Sequence, residues 1–276
     1  MRSKTSKRLI LSTLGVLVIY LLHAQNVLSI SPGAWGGAMG GIRSTHQNIL
    51  SIYGNQAGLA FVDELTFYAS AERRFNTEGL NFYSLLGALP TRYGNFGLNI
   101  FYHGYEAYNE KLIGLSYARK LIDKLALGAR LDFVQASIPV YGSTSTVTAE
   151  FGIQTNISSS VLLGFHIYNP FEIHWLEGES LPGIFVLGIA YQPTTRIWIS
   201  GELEKVSEFP ENLKWGLQYK ALDQLAIRVG FNTQPALFSF GIGYTLNSGM
   251  ICDIGTSVHQ ELGFSPMAGF GYAVYK

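Results

Sequence analysis

Alternation of apolar residues with polar or small residues dominates the chain from about residue 65 onward. One stretch sets Leu125, Leu127, Ala129, Leu131 and Phe133 against Ala126, Gly128, Arg130, Asp132 and Val134. Successive residues of a β-strand point to opposite faces, so each such stretch has one apolar face and one polar or small face. The repeated pattern, broken by turn residues, predicts antiparallel strands throughout this region.

About fourteen such segments lie between residues 65 and 275, and single-chain bacterial outer-membrane barrels have an even number of strands. Connections after even-numbered segments are tight, as at 121–122 and 193–194. Those after odd-numbered segments tend to be longer, and the longest runs from Asn169 to Leu181. Short periplasmic turns and longer extracellular loops are typical of outer-membrane barrels, with both chain ends in the periplasm.

The apolar face of these strands is predicted to contact lipid. Charged residues make up 14% of the chain, whereas soluble domains carry about a quarter. We therefore predict an all-β fold, a transmembrane antiparallel β-barrel of about 14 strands, in contact with outer-membrane lipid. An exported soluble β-sandwich is the alternative that alternation alone leaves open.

The first residues have the features of a secretory signal. Four basic residues lead into an apolar run from Leu9 to Leu22, and this run is short for a membrane-spanning helix. We predict a signal peptide over 1–24 that is cleaved before Gln25, an N-terminal hatch or plug over 25–64, and the barrel over 65–276. Export through a cleaved signal together with a barrel predicts location in the outer membrane of a Gram-negative cell.

Charged residues occupy the face opposite the apolar one. A basic residue facing hydrocarbon at the membrane midplane costs about 2–4 kcal/mol, so these side chains are predicted to face the lumen. Their mixed signs predict mutual pairing. The predicted lumen charge network comprises Glu72, Arg74, Arg130, Asp132, Glu150, Arg196, Glu202, Lys214 and Arg228.

The segment before the first strand resembles the start of FadL-like outer-membrane barrels, the long-chain fatty-acid transporters and their relatives. Gly33 to Gly41 matches their small-residue stretch, and Asn55, Gln56, Ala57 and Gly58 stand at their "NPAG" positions. The resemblance implies a fourteen-stranded barrel with an N-terminal lumen hatch. Gln56 replaces the usual proline, which removes a restraint on φ at this turn.

The chain is also similar to the PorV/PorQ-like branch of this superfamily, which is associated with the type IX secretion system of Bacteroidetes. That resemblance implies secretion-system proteins as partners.

Other chemistry finds no support in the sequence. The six histidines show no HxxxH or HExxH spacing, and the single cysteine, Cys252, excludes an intrachain disulfide. There is neither a phosphate-binding loop nor a GxSxG motif, and zero net charge gives no electrostatic case for nucleic acid. Asp132 and Glu150 on neighbouring strands could serve as catalytic carboxylates, but a structural ion-pair network with Arg130 is the favoured interpretation. We predict no catalytic residue, no metal and no cofactor.

Three functions remain. The favoured one is passive uptake of a hydrophobic small molecule, captured by the apolar loop residues Phe171, Ile173 and Trp175 and admitted by hatch movement. The second is a non-catalytic accessory or cargo-interacting barrel of a secretion system. The third is a structural barrel without transport.

Overall fold

The computed structural model describes residues 31–176 and 179–274. It contains one short α-helix, α1 (Gly33–Gly37), three 3-10 turns (Ile49–Tyr53, Gln56–Phe61 and Arg74–Asn76), and sixteen strands in these ranges. The strands are β1 (Leu65–Arg73), β2 (Asn81–Thr91), β3 (Gly94–Tyr105), β4 (Tyr108–Ile122), β5 (Leu125–Ile138), β6 (Gly142–Asn156), β7 (Val161–Tyr168), β8 (His174–Leu176), β9 (Glu179–Ser180), β10 (Ile184–Thr194), β11 (Ile197–Val206), β12 (Asn212–Lys220), β13 (Leu225–Thr233), β14 (Ala236–Thr245), β15 (Met250–His259) and β16 (Gly263–Val274).

Fourteen of these strands form one closed barrel, which confirms the predicted fold class. Each pairs antiparallel with its neighbours along the chain, and β1 closes the barrel by pairing with β16, with Leu65 opposite Val274. Closure gives every barrel strand a partner on both sides, which suits backbone that crosses hydrocarbon.

The connection between β7 and β10 holds the two strands that the sequence pattern did not predict. Strands β8 and β9 pair only with each other, outside the barrel sheet. β7 is short and pairs with β6 only from Glu150 to Asn156, so β6 extends beyond its neighbour from Gly142 to Ala149. Alternation predicts that a segment forms a strand, but it does not predict how far the strand extends along the barrel axis. The unequal extents of β6 and β7 could therefore not be predicted.

Burial alternates as the sequence predicts. On β4, Leu115 is 62% exposed and the adjacent Ser116 is fully buried. Leu98 on β3, Trp215 on β12 and Ile227 on β13 are likewise exposed, and all belong to the apolar outer face. The outer face therefore presents hydrocarbon-compatible side chains, while the inner face is polar, small or packed.

The two rims differ less than predicted. Connections after β2, β4 and β10 contain two residues each, but so do those after β3 and β13. Only the connections 74–80, 169–183 and 207–211 are longer than any on the opposite rim. We call the rim that carries the start of β1 and the end of β16 the turn rim, and the opposite one the loop rim.

Residues 31–62, here called the lumenal segment, lie inside the barrel. One part, from Ile49 to Val62, packs against Tyr68, Phe82, Leu86 and Phe101 on β1, β2 and β3 to form the hydrophobic core. The part around Ala38 and Met39 contacts glycines on β12, β13, β14 and β15. Among the described residues no helix is long and apolar enough to cross a membrane.

Glycines on the inner wall make room for this segment. A Cβ placed on Gly164 of β7 would lie 2.2 Å from the carbonyl oxygen of Ser44, which is far inside van der Waals contact. Gly87 of β2 instead lies beside Phe67, which is exposed on the outer face. A Cβ placed on Gly87 would lie 3.7 Å from the Phe67 ring, an ordinary packing distance.

We expect Gly164→Ala to displace the lumenal segment, whereas Gly87→Ala serves as the matched control. Limited proteolysis of the protein in detergent should cleave residues 31–62 faster in Gly164→Ala, and the temperature of its heat-modifiable gel shift should fall. Equal protection of the two variants would contradict a tight fit between segment and wall.

Candidate functional site in the barrel lumen

Asn55 forms hydrogen bonds both within the lumenal segment and to the barrel wall. Its side chain is fully buried, and its Nδ2 donates to the carbonyl oxygens of Ser44 at 3.0 Å and Ile153 at 2.9 Å. Its Oδ1 accepts from the backbone nitrogen of Ala57 at 3.2 Å and so caps the following 3-10 turn. Asn55 thus uses both ends of its amide to fix this bend against β6.

Gln56 makes a contact that a proline at its position could not make. Its side chain is fully buried, and its Nε2 donates to Oε2 of Glu150 on β6. The lost restraint on φ is therefore only one consequence of this replacement. In the structure, the glutamine adds a hydrogen bond to a buried carboxylate, and such charge-assisted bonds are stronger than neutral ones.

Gly58 and Ala57, the last two motif residues, lie very close to neighbouring backbone. A Cβ on Gly58 would lie 1.8 Å from the carbonyl oxygen of His46, so the position admits only glycine. The backbone nitrogen of Ala57 lies 2.4 Å from where a Cβ on Gly128 of β5 would stand. The four motif residues therefore pack directly on β5 and β6.

The Arg130 cluster, formed by Gln56, Arg130, Asp132, Glu150 and His166, lies beneath this motif. Arg130 is fully buried, and its Nε lies 2.8 Å from Oδ1 of Asp132. Its two terminal nitrogens donate to Glu150 and to the carbonyl oxygen of Ile52 in the lumenal segment. His166 Nε2 lies 2.8 Å from the second oxygen of Glu150. Wall charges and segment backbone thus form one hydrogen-bonded unit.

The Glu204 cluster, formed by Arg43, Ser44, Glu202, Glu204 and Lys214, holds the segment against β11 and β12. Lys214 Nζ donates to Glu204 at 2.7 Å, and Arg43 pairs with the same carboxylate oxygen. Glu202 accepts from the backbone nitrogen of Arg43 at 2.8 Å and from Oγ of Ser44 at 2.6 Å. Two carboxylates on β11 thus bind the segment at Arg43.

The Asp253 cluster joins Tyr68, Gln218, Arg228 and Asp253 from four separate strands. Arg228 pairs with Oδ1 of Asp253 and donates through Nε to Gln218 at 2.8 Å. Tyr68 donates to the other oxygen of Asp253 at 3.0 Å. The guanidinium of Arg228 also lies 4.8 Å from the ring centre of Trp35, which follows the cation–π geometry.

The predicted charge network is therefore divided. Glu72 and Arg74 form a separate, partly exposed pair at 3.4 Å near the loop rim. Arg196, which the sequence predicts in the network, is exposed on the turn before β11 and belongs to no buried cluster. Sequence reasoning missed Arg43, although it is the only Asp, Glu, Lys or Arg between residues 31 and 62.

Two further buried polar side chains belong to the segment. Tyr53 shares hydrogen bonds with Ser70, at 2.9 Å, and with Ser84, and burial raises the pKa of its hydroxyl to about 12. Burial lowers the pKa of His46 to about 4, so its ring is neutral at neutral pH. His46 Nε2 lies 3.0 Å from the carbonyl oxygen of Ile42.

The lumenal segment separates two cavities. The loop-rim cavity, of about 610 Å³, has apolar walls at Leu80, Ile184, Val206, Leu237 and Met267, and a charged floor at Arg43, Glu204 and Lys214. The turn-rim cavity, of about 240 Å³, lies on the other side of the segment, below Thr45 and His46. No group of three or more His, Cys, Asp or Glu residues in 31–176 and 179–274 is arranged to hold a metal ion.

The predicted loop contacts lie away from these cavities. Phe171 is 68% exposed and Ile173 is half-buried, and neither lines the loop-rim cavity. The side chain of Trp175 lies outside the described residues. Their predicted role in capture stays a prediction.

Comparison with known proteins supports the fold. No family model matches the chain, and no curated protein sequence matches it. Among solved structures, the Ralstonia pickettii toluene transporter TbuX superposes with a TM-score of 0.73 at 12% identity, over 90% of this chain and 100% of that one. The P. putida toluene transporter TodX gives 0.66 at 12% identity, over 88% and 99%. A Pseudomonas aeruginosa FadL homologue gives 0.57 at 14% identity, over 88% and 96%.

These likenesses confirm the prediction of a FadL-like barrel at the level of the fold. A barrel of this kind fits an outer-membrane location. The predicted signal peptide over 1–24 falls outside the described residues and stays a prediction.

We expect Arg130→Met to destabilise the folded barrel strongly. The change leaves Asp132 and Glu150 buried without their cation, and breaking a buried pair in this way costs about 3–5 kcal/mol. The temperature of the heat-modifiable gel shift should fall well below that of the parent protein. Arg74→Met is the matched control, because its partner Glu72 lines the loop-rim cavity and is not enclosed in a buried cluster. An equal fall in the gel-shift temperature of both variants would contradict a stabilising role for the Arg130 cluster.

Proposed function

We propose that this protein is an outer-membrane barrel for the passive uptake of hydrophobic small molecules, with the lumenal segment as its gate. The observation that carries the proposal is a ligand-sized cavity at one rim of the barrel, with the lumenal segment beneath it. The toluene transporters that share its fold supply the class of molecule. The loop rim would face the outside and the turn rim the periplasm.

The loop-rim cavity suits capture of an apolar molecule. Its volume of about 610 Å³ falls within the roughly 300–1,000 Å³ of small-molecule sites. Apolar side chains from β10, β11, β14 and β16 form its walls. Its charged floor is already paired, since Arg43 and Lys214 both contact Glu204, so the site needs no counter-ion from the ligand.

The segment has a tightly held part and a loosely held part. From Arg43 to Gln56 its atoms bind buried carboxylates and strand carbonyls on the wall. From Gly33 to Ile42 the contacts with the wall are close packing, chiefly Ala38 and Met39 against three wall glycines, together with the cation–π contact of Trp35 with Arg228, whose charge stays paired with Asp253. Moving the first part would leave charges unpaired in the interior, whereas moving the second separates small apolar surfaces. We therefore assign gating to residues 33–42.

The accessory and structural roles remain alternatives. A structural barrel would give no uptake in either test below, and an accessory barrel would give none while retaining a protein partner.

Uptake of radiolabelled toluene should rise when the protein is placed in the outer membrane of cells that lack it, whereas uptake of a small hydrophilic sugar should not. Leu237→Trp fills the loop-rim cavity and should lower toluene uptake several-fold. Leu213→Trp is the matched control, because Leu213 is 47% exposed on the outer face. Equal uptake of sugar and toluene, or no rise in either, would contradict the proposed function.

A pair of engineered disulfides tests which part of the segment moves. In a Cys252→Ser background, Ala38→Cys with Gly255→Cys ties the packed part to β15, since a Cβ on Gly255 lies 3.0 Å from that of Ala38. Disulfides need about 3.5–4.5 Å between Cβ atoms, so a small shift suffices. The oxidised form should lose toluene uptake and regain it on reduction.

The control disulfide joins Thr45→Cys with Ser200→Cys, whose hydroxyl oxygens lie 2.8 Å apart in the parent protein. This disulfide links the wall to residues 43–56, which we assign as fixed. Its oxidation should leave toluene uptake unchanged. Uptake that survives the first disulfide, or is lost equally with both, would overturn the assignment of the gate to residues 33–42.

A further inference from the structure

The turn-rim cavity has a distinct chemical character. Its lining includes two cationic side chains, Arg196 and Lys220, and no acidic residue. Both cations are exposed on the turn-rim ends of their strands, so they stand at its mouth. Among the described residues, neither has a carboxylate within ion-pair distance. This contrasts with Arg43, Lys214 and Arg228, each of which is paired with a buried carboxylate.

Neutral hydrogen-bonding groups surround the two cations. Amides of Gln47, Asn156, Gln192 and Gln218 line the cavity, together with hydroxyls of three consecutive serines, 158–160. Amide and hydroxyl donors next to unpaired cations favour an anionic oxygen over a neutral one.

An aromatic wall lies deeper in the cavity. Trp198 and His46 stack with ring centres 5.6 Å apart, and Trp35 meets the edge of His46 at 4.3 Å. All three residues line the cavity. A flat apolar group can stack on such a surface, with a gain of about 0.5–1.5 kcal/mol for an aromatic pair beyond its buried area.

We infer that the turn-rim cavity binds a small organic anion with a flat apolar body, of which an aromatic carboxylate is the representative class. Its carboxylate lies between Arg196 and Lys220, and its ring lies against Trp35 and Trp198. The volume of about 240 Å³ is below the usual range of ligand pockets and limits the occupant to a molecule of about one or two rings. The site shares Trp35 with the proposed gate over residues 33–42, but its binding of an anion can be measured without any uptake of neutral molecules.

The test is ¹⁹F NMR of 4-fluorobenzoate added to the full-length protein in a neutral detergent, with empty micelles as background. Saturable line broadening should appear with the protein. In the Arg196→Gln/Lys220→Gln double variant, affinity should fall about tenfold or more, because bonds to a charged partner are lost. Arg92→Gln, on the same rim but outside the cavity, should bind as the parent does. All variants must show the parent's heat-modifiable gel shift.

Three further outcomes decide the chemical class. The neutral analogue 4-fluorobenzyl alcohol should bind more weakly than the acid, and equal binding would overturn the role of the charge. Inorganic phosphate should displace 4-fluorobenzoate poorly, and efficient displacement would overturn the role of the flat body. Trp198→Leu should weaken 4-fluorobenzoate several-fold, and unchanged affinity in this variant or in the double variant would overturn the proposed site.

Discussion

A strand that crosses hydrocarbon must satisfy its backbone hydrogen bonds within the protein, and the rest of this structure depends on that constraint. It requires closure of β1 on β16, and closure fixes which side chains face inward. The inward set is mostly polar or small, with an apolar patch around Phe82, Leu86 and Phe101, and it includes charges that lipid cannot accommodate. Once these charges are buried against the lumenal segment they need partners within the protein. The segment therefore fills the barrel and also supplies the hydrogen bonds that the wall requires, as Gln56 and the carbonyl of Ile52 do for Glu150 and Arg130.

Glycine on the inner wall makes this arrangement sterically feasible. Gly114 of β4 stands between Asn99 and Asp132, and a Cβ there would lie 2.2 Å from a carboxylate oxygen of Asp132. Gly152 and Gly164 leave similar space for Asn55 and Ser44. The abundance of glycine thus serves two purposes in the wall, since some positions admit the segment and others admit the charged side chains that bind it. A larger residue at either kind of position would separate the wall from the segment and leave buried carboxylates without donors.

Local periodicity in the sequence predicted the strands and their two faces. It did not predict contacts between residues that are distant in the sequence. Alternation with a period of two identified the fourteen barrel strands and faces such as Leu115 out and Ser116 in, because strand geometry alone determines them. It could not show that the charges divide into separate clusters, since partners such as Arg43 and Glu204 are 161 residues apart. Arg196 was misplaced by a strand boundary error of two residues, which is enough to move a side chain from wall to turn. The replacement of proline by Gln56 was visible in the sequence, but its buried partner Glu150 was not.

The division of the segment into a bonded part and a packed part limits what any ligand must do to open the lumen. A ligand can shift an equilibrium only by its difference in affinity for the two states. Displacing residues 43–56 would separate Arg43 from Glu204 and remove the donors that the segment supplies to Glu202, and breaking a buried pair costs several kcal/mol that an apolar molecule cannot offset. Displacing residues 33–42 removes small apolar contacts around Ala38 and Met39, and an apolar ligand that takes their place on the wall restores much of that burial at about 25 cal/mol per Å². In the proposed mechanism, a hydrophobic molecule therefore opens the side of the segment that carries no Asp, Glu, Lys or Arg residue.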